Sequence, residues 1–421
     1  MQVYESSSGQ QLNRNKTALF FSRNTPTRVQ DAIKARFGAQ VIKPHESYLG
    51  LPSLIGRSRK NTFAKIKRNL ESKLAGWKEK LLSSAGKEVL IKAVAQAVPS
   101  YTMSCFKLPN GLCEEMTGMV RQFWWGQVKN EKKVAWMSWE RMCLPKDKGG
   151  MGFRDLKSFN LAMLAKQGWR LQTNASSLFT RVYKAKYFPN GDFVNAVEGK
   201  KASFAWRSIM AAQQLVEQGM RWQVGDGRSI RIWQDKWLST RSTYRVVTPE
   251  RAGNHVQMVR DLMSEEKPEW NSVLVKEMFL PQDAEAILSI PISESLERDR
   301  MVWAGDKRGT FTVRSAYRLA REIEVEGRNS GCSDPTRMQG VWRGVWSMNV
   351  PNKIKHFVWK ACNGILPTKE SLYRRKITES NTCEACGDRT ETTMHVLCFC
   401  NRGAEAWKES KLALPCIIQE S

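Results

Sequence analysis

The segment Cys383-Glu384-Ala385-Cys386, with His395 and Cys400 downstream, brings four metal-binding side chains into one short stretch of sequence. Two cysteines separated by two residues form a knuckle, and a histidine and a cysteine with four residues between them complete a tetrahedral set. Thiolates and a neutral imidazole suit Zn²⁺, and four protein ligands leave no coordination position for water. The spacing therefore predicts a structural zinc ion bound by Cys383, Cys386, His395 and Cys400.

Two alternatives remain open at this cluster. Cys398 competes as the fourth ligand, and reduced cysteines can also pack together without a metal. Disulfides are disfavoured because the N-terminus has no apolar signal segment, which predicts an intracellular chain, in nucleus or cytoplasm, with reduced thiols. The other cysteines are scattered and are expected to pack as small apolar residues: Cys105, Cys113, Cys143, Cys332, Cys362 and Cys416.

A helix is predicted just before the cluster, ended by Pro367. Its apolar residues recur at helical spacing and are expected to carry the core of the zinc unit: Ile354, Phe357, Val358, Cys362 and Ile365. His356 lies beside this face and has no cysteine at ligand spacing. It is predicted to be a packed or surface histidine and not a ligand.

Length and charge limit the number of globular units and the kind of partner that the chain can have. With 421 residues, 41% of them hydrophobic, and 16 tryptophans, two or three globular units are expected. The formal net charge of +26 favours a polyanionic partner, although a merely basic protein is the alternative. No stretch approaches the roughly 20 apolar residues that span a bilayer, so membrane insertion is set aside and no membrane partner is expected. No motif indicates a small-molecule substrate.

The clearest amphipathic helix follows residue 62. Its apolar face comprises Phe63, Ile66, Leu70, Leu74, Trp77 and Leu81. Residues 51–100 hold eleven Lys or Arg and three Glu, and a second helix with Leu90, Val94 and Ala97 inward is predicted to run to Pro99. A cationic helix face is typical of phosphate-backbone binding, or of an ordinary solvated surface. The predicted nucleic-acid contacts are Arg57, Arg59, Lys60, Lys65, Lys67, Arg68 and Lys73.

Tryptophans and cations alternate between residues 121 and 169. The tryptophans are Trp124, Trp125, Trp136, Trp139 and Trp169, and the cations include Arg121, Lys129, Lys132, Lys133 and Arg141. Such aromatics either stack on bases or fill a core, and the core is the commoner use of tryptophan.

Residues 222–233 alternate about Asp226-Gly227, which predicts a β-hairpin. Residues 261–299 then hold ten acidic and three basic residues, and three prolines interrupt them. This composition predicts a solvated helical spacer that does not touch the polyanion. A Gly- and Ser-rich loop is predicted over residues 327–335.

Enzymatic motifs are missing from the sequence. Two-metal polymerisation needs clustered carboxylates, and no adjacent Asp-Asp pair occurs. Gly-x-Ser-x-Gly, His-Glu-x-x-His and Walker-type loops do not occur either. No catalytic residue is assigned.

Several segments together resemble the C-terminal part of a plant-type LINE, or non-LTR retrotransposon, reverse transcriptase. The similar segments are Gly9–Thr17, Tyr48–Pro52, Phe123–Gly126, Gly152–Leu156, Ala165–Arg170, Ile232–Leu238 and Gly309–Tyr317, together with the cysteine and histidine cluster. The resemblance implies a mainly α fold with small β elements. It divides the chain into a palm remnant (1–50), a basic helical thumb-like region (51–200), a β-hairpin and acidic spacer (201–300) and a reverse-transcriptase zinc-binding domain (301–410).

The resemblance also implies what this sequence departs from. The catalytic aspartates of the family would lie upstream of Met1, so Lys16, which matches a lysine thought to assist the departing pyrophosphate, has no active site to serve. The expected function is a non-catalytic fragment that binds RNA or an RNA–DNA hybrid and a structural zinc ion. The alternatives are part of a longer active RNA-directed DNA polymerase, or a zinc-stabilised protein-interaction module.

Overall fold

Helices dominate the fold, and the β elements are short pairs, as the sequence predicts. The structure is a computed structural model. It describes the chain apart from residues 1, 12, 14–17, 20, 23, 39, 42–46, 49, 53–54, 79–81, 127–133, 240–242, 252, 254, 266, 296, 327–337, 388 and 411–421. The predictions for Lys16, Leu81, Lys129, Lys132, Lys133, Cys332, Cys416 and the loop 327–335 lie outside the described residues.

The described α-helices are Gln2–Ser8, Thr27–Phe37, Arg59–Thr62, Ala64–Lys78, Ser84–Leu90, Ser100–Met103, Asn110–Trp125, Trp139–Met142, Leu156–Thr173, Leu178–Tyr187, Phe204–Met210, Gln213–Gly219, Ser272–Met278, Pro281–Leu288, Val313–Glu326, Gln339–Ser347, Asn352–Cys362, Lys369–Tyr373 and Asn401–Glu409. Short 3₁₀ helices cover Lys146–Lys148, Phe193–Asn195 and Val259–Leu262, and π-helical turns cover Ile91–Ala95 and His395–Phe399.

Three pairs of strands complete the fold. Ala18–Leu19 pairs in parallel with Gln40–Val41, and Ser47–Tyr48 pairs antiparallel with Leu51–Pro52. Met220–Gln223 pairs antiparallel with Arg300–Trp303, with Met220 opposite Trp303.

The chain divides into two compact units, each formed by three segments. The first unit comprises Met1–Asn69, Pro99–Cys113 and Met163–Phe311. The second unit comprises Leu70–Val98, Glu114–Ala162 and Thr312–Ser421. The division into four consecutive regions stays a prediction.

The predicted hairpin in the first unit is wrong. The strand Met220–Gln223 pairs with Arg300–Trp303, whereas Arg231 forms an isolated bridge with Met258. The cause is the carboxylate of Asp299, which accepts hydrogen bonds from the backbone N–H groups of Gly225 and Gly227 at 2.8 and 2.9 Å. These amides are therefore held by a distant aspartate and not by a hairpin ladder.

The acidic segment 261–299 is helical in part, as predicted, but it is not a solvated connector. Its apolar residues Val275 and Ile287 are fully buried in one cluster with Ile232 and Trp237. Asp283 is only 4% exposed, because its carboxylate accepts hydrogen bonds from the backbone N–H groups of Val247 and Thr248 and from the Thr248 hydroxyl. The segment thus forms half of a core in the first unit.

Helix Ala64–Lys78 buries the face that the sequence predicts. Phe63, Leu70 and Leu74 are at most 3% exposed. The next helical region turns differently, because Ile91–Ala95 is a π-helical turn. Ile91 and Ala95 are buried there in place of Leu90 and Val94, since the wider turn shifts the inward face.

In the second unit, tryptophan serves the core. Trp124 and Trp139 are buried and both contact Phe153, with ring centroids 5.2 Å apart in each pair. Trp125, Trp136 and, in the first unit, Trp169 are half-buried. The core interpretation therefore holds for Trp124 and Trp139.

The helix Asn352–Cys362 buries a different face from the one predicted. Ile354 and Phe357 are 40% and 47% exposed, whereas His356 and Trp359 are buried. Polar anchors orient the helix: the Trp359 indole N–H donates to the Gly149 carbonyl at 2.9 Å, and His356 contacts Glu88. His356 is packed, as predicted.

Glu88 is the centre of a half-buried ionic cluster in the second unit. One carboxylate oxygen lies 2.7 Å from the Lys92 ammonium and 2.8 Å from that of Lys146, and the other lies 3.1 Å from His356 Nε2. Burial by itself raises the pKa of Glu88, but the hydrogen bonds from His356, Lys146 and Lys92 prevail and hold that pKa at about 2.

None of the described helices combines the length and the apolar character that crossing a membrane requires.

Because the Glu88 pKa in the folded protein lies below its ordinary value of 4.5, the stabilisation is present above about pH 4.5 and is lost as the pH falls toward 2. We expect Glu88→Gln to lower the melting temperature at pH 7 by several degrees, and the difference from the unmodified protein to shrink by pH 3. Thermal unfolding followed by circular dichroism measures this.

Glu71→Gln is the matched control, since Glu71 is exposed in the same unit. A Glu88→Gln difference that stays constant between pH 7 and pH 3 contradicts the role assigned to the ionised carboxylate.

Candidate metal centre and candidate nucleic-acid interface

The first half of the cysteine and histidine cluster is a tight turn. The Cys383 N–H donates to the Arg389 carbonyl at 2.9 Å, and the Gly387 N–H donates to the Cys383 carbonyl at 2.9 Å. Gly387 has φ of 77°, a left-handed conformation that favours glycine, directly after Cys386. This turn holds the thiols of Cys383 and Cys386 on one loop.

The second half is a π-helical turn, His395–Phe399. Such a turn closes hydrogen bonds between residues five apart, and here the Cys400 N–H donates to the His395 carbonyl at 2.7 Å. Residues five apart therefore come to the same side. His395 and Cys400 meet in this way, which four intervening residues would not achieve in an ideal α-helix.

All four ligand atoms lie within 4.8 Å of one another. The Sγ atoms of Cys383 and Cys400 are 3.9 Å apart, and Cys386 Sγ lies 3.3 Å from His395 Nε2. Tetrahedral zinc, with Zn–S of about 2.3 Å and Zn–N of about 2.0 Å, requires separations of about 3.8 Å and about 3.5 Å. The donor set and its spacing fit zinc.

Position and not burial separates the four predicted ligands from the competing cysteine, since Cys386 is half-buried like Cys398. Cys383, His395 and Cys400 are 3–5% exposed, whereas Cys398 is half-buried and lies outside the group of four ligand atoms. Of the cysteines outside the cluster, Cys113 and Cys143 are buried as predicted, Cys105 is half-buried and Cys362 is exposed.

Hydrogen bonds and an ion pair attach the cysteine and histidine cluster, residues 383–400, to neighbouring helices. The Lys369 N–H donates to the Glu391 carboxylate at 2.9 Å, and the Lys369 ammonium lies 2.6 Å from Glu384. The Trp407 indole N–H donates to the Leu397 carbonyl at 2.6 Å. These contacts bind both halves of the cluster to flanking helices, so the positions of the four side chains are fixed by hydrogen bonds from outside the cluster.

The predicted nucleic-acid residues fall into two groups. Arg57, Arg59 and Lys60 are exposed and line one cavity of about 930 Å³ in the first unit. Lys65, Lys67, Arg68 and Lys73 lie on helix Ala64–Lys78 and do not line it. Lys67 is half-buried, and the other three are exposed.

Two further cations line this cavity, and sequence reasoning missed both. Lys107 is exposed, and Arg207 forms a 2.9 Å ion pair with Glu198, the one carboxylate among the described lining residues. They are distant from residues 57–60 in the sequence, so no local pattern signals them. The Arg59 guanidinium lies over the Phe204 ring at 5.0 Å from its centroid, which orients it at the cavity wall.

Comparison with known proteins identifies the C-terminal region. Residues 311–407 match the family described as zinc-binding in reverse transcriptase, and this range contains all four ligands. A protein of Arabidopsis thaliana that carries the name ribonuclease H protein is 32% identical over 364 residues, which cover 85% of this chain and 57% of that relative. The chain therefore spans little more than half of that relative.

A second relative is covered almost entirely. An uncharacterized mitochondrial protein of Arabidopsis thaliana is 39% identical over 143 residues, which are 34% of this chain and 93% of that protein. The chain belongs to the plant family of reverse-transcriptase-related, retrotransposon-derived proteins that these matches define. The resemblance to reverse transcriptase is confirmed, and the assignment to the LINE class stays a prediction.

We expect Cys383→Ser to lower the zinc content of the purified protein from about one ion per chain to well below that, because three ligands bind zinc far more weakly than four. Inductively coupled plasma mass spectrometry measures the stoichiometry. Limited proteolysis should then cut residues 340–410 faster, since the buried residues that the structure describes in the stretch 383–400 are three of the predicted ligands themselves and a metal would hold that stretch together.

Cys398→Ser is the matched control and should retain zinc, because Cys398 lies outside the ligand group. Zinc loss in Cys398→Ser together with retention in Cys400→Ser would assign the fourth ligand to Cys398.

Proposed function

We propose that this chain is the non-catalytic, nucleic-acid-binding part of a LINE-type retrotransposon reverse transcriptase. Its ligand is RNA or an RNA–DNA hybrid, and a structural zinc ion holds its C-terminal domain. The observation that carries the proposal is the cationic cavity of the first unit, lined by Arg57, Arg59, Lys60, Lys107 and Arg207.

The chemistry of this cavity suits a phosphate backbone. Five cations face one carboxylate, and that carboxylate, Glu198, is already paired with Arg207. The excess of positive charge at the cavity attracts an external polyanion. Guanidinium groups bind phosphate through two parallel N–H bonds, so Arg57 and Arg59 suit successive phosphates better than lysines alone would.

The family supports the same ligand class. The zinc-binding family is described as part of reverse transcriptase, and the longer relative carries the name ribonuclease H protein. Both names refer to enzymes that act on nucleic acid. Lys65, Lys67 and Arg68, on the part of helix Ala64–Lys78 that belongs to the first unit, add positive charge to that unit outside the cavity lining.

A second candidate, part of a longer RNA-directed DNA polymerase, is favoured by one observation: the match covers only 57% of the longer relative. Sequencing the transcript upstream of Met1 tests it. An in-frame Tyr-x-Asp-Asp motif supports the polymerase, and a stop codon directly before Met1 contradicts it.

We expect the triple variant Arg57→Ala, Arg59→Ala and Lys60→Ala to weaken binding of a labelled RNA–DNA hybrid and to flatten its salt dependence. The plot of log affinity against log salt should lose about one unit of slope for each phosphate contact removed, or up to about three units in all. Fluorescence anisotropy titrations between about 50 and about 200 mM salt measure both quantities.

The matched control is Arg181→Ala, Lys184→Ala and Lys201→Ala, which removes the same charge from exposed positions of the first unit that do not line the cavity. Equal losses in the two triple variants would show that net charge and not the cavity governs binding, and would refute the proposal. A flat salt dependence of the unmodified protein would refute it too.

A further inference from the structure

A second cationic surface lies elsewhere in the first unit, along the strand Arg300–Trp303. Two adjoining cavities of about 300 and about 440 Å³ share four lining residues, Arg300, Val302, Arg308 and Gly309. Neither cavity shares a lining residue with the Arg57 cavity. This surface, called the β-edge surface below, is therefore a separate feature.

The β-edge surface is strongly positive. Its described lining residues include six cations and no carboxylate. Five of the cations are exposed and Arg221 is half-buried. The six are Lys166, Arg170, Arg221, Arg300, Lys307 and Arg308.

Two carboxylates adjacent in sequence to these cations, those of Asp306 and Asp299, accept hydrogen bonds from nearby loops. Asp306 accepts hydrogen bonds from the backbone N–H of Arg308 at 2.9 Å and from the Thr310 hydroxyl at 3.4 Å. Asp299 accepts from Gly225, Gly227 and Ser229. Within the described part of the chain, none of the six cations forms an ion pair, in contrast to Arg207 at the other cavity.

The backbone presents these cations in a fixed arrangement. Met220–Gln223 pairs with Arg300–Trp303, and the Arg300 Nε–H donates to the Gln223 side-chain oxygen at 3.0 Å. The Trp303 N–H donates to the Gly309 carbonyl at 2.8 Å, which returns the chain beside the strand, and Arg300 and Arg308 both line both cavities. Gly309, with φ of 70°, packs close to Val302 at this return.

Aromatic rings complete the β-edge surface. Trp169 and Phe311 are half-buried and both line the larger cavity, beside Lys166 and Arg170. Their rings are stacked, with centroids 6.0 Å apart and an angle of 22° between the planes. Trp303 supports both rings from the buried side, with centroids at 5.6 and 4.6 Å.

We propose that the β-edge surface binds single-stranded nucleic acid. Arg300 and Arg308 contact phosphates, and an unpaired base stacks on the Trp169 and Phe311 pair. Cations beside supported aromatic rings are the usual means of holding single strands, whose bases are free to stack, whereas a duplex keeps its bases inside. The inference goes beyond the proposed function, because it uses different residues and requires an unpaired strand, whereas that function names RNA or an RNA–DNA hybrid without specifying whether its bases are paired.

Two variants separate this surface from the rest of the protein. We expect Arg300→Ala with Arg308→Ala to weaken binding of an oligo-uridine or oligo-thymidine strand about tenfold at moderate salt, and to change RNA–DNA hybrid affinity much less. Arg228→Ala with Arg251→Ala is the matched control, since both arginines are exposed in the same unit and line neither cavity. Equal weakening by the two pairs, or single-strand affinity unchanged in the first pair, overturns the inference.

Crosslinking tests the base contact in the unmodified protein. An oligonucleotide that carries 4-thiouridine should crosslink, under long-wavelength light, to peptides that contain Trp169 or Phe311, as identified by mass spectrometry. The same crosslinks should persist in the Arg57, Arg59 and Lys60 triple variant. Crosslinks confined to residues 57–73 overturn the inference, as does inorganic polyphosphate that competes as well as an oligonucleotide of equal charge.

The two proposals fail separately. Equal loss of hybrid binding in the two triple variants refutes the role of the Arg57 cavity, whereas the β-edge surface is decided by single-strand binding of the Arg300 and Arg308 variant against its own control. If hybrid binding depends on Arg57 but single-strand binding does not depend on Arg300, the role of the Arg57 cavity is supported and the role of the β-edge surface is refuted.

Discussion

Buried backbone amides in irregular loops must find hydrogen-bond acceptors, and in the first unit aspartates supply them. Asp299 holds the loop at Gly225, Asp283 holds Val247 and Thr248, and Asp261 accepts from the Gln257 and Met258 amides at 2.9 Å. Each carboxylate faces the loop that it fixes. Its charge is compensated by amide dipoles, so these aspartates are not available to pair with the lysines and arginines on the surface.

This use of aspartate explains how a locally acidic sequence can border a positive surface. Residues 261–299 hold ten acidic residues and three basic ones, yet they end beside Arg300 and the β-edge surface, where the described lining residues include no carboxylate. A charge count over a sequence window treats every side chain as solvent-exposed. The count misleads wherever carboxylates face the interior, because these carboxylates do not offset the positive charge of the neighbouring surface. The net charge of +26 is therefore distributed over the surface differently from what the charge count of each segment indicates.

The grouping of Cys383, Cys386, His395 and Cys400 could be predicted from the sequence because all four lie in one segment, where spacing alone limits the geometry. The long helices were predictable for the same reason, since the periodicity of Phe63, Leu70 and Leu74 is local. The hairpin was not, because Asp299 is more than 70 residues from the amides that it binds. The buried face of helix Asn352–Cys362 was not predictable either. Hydrogen bonds to Gly149 and Glu88, both distant in sequence, outweigh the burial of Ile354 and Phe357.

The metal site and the two cationic surfaces have different physical origins, which makes zinc content and polyanion affinity separable properties. The four predicted zinc ligands lie between residues 383 and 400, in the second unit, where two local turns bring the thiols and the imidazole together. The cationic cavities are lined by residues of the first unit alone, whose loops are held by aspartates and whose core holds fully buried tryptophans such as Trp206 and Trp237. A metal stabilises the segment that binds it, because the bonds to zinc replace an apolar core that this short segment lacks. Nothing in the hydrogen bonding of Asp299 or the stacking of Trp169 on Phe311 requires that ion.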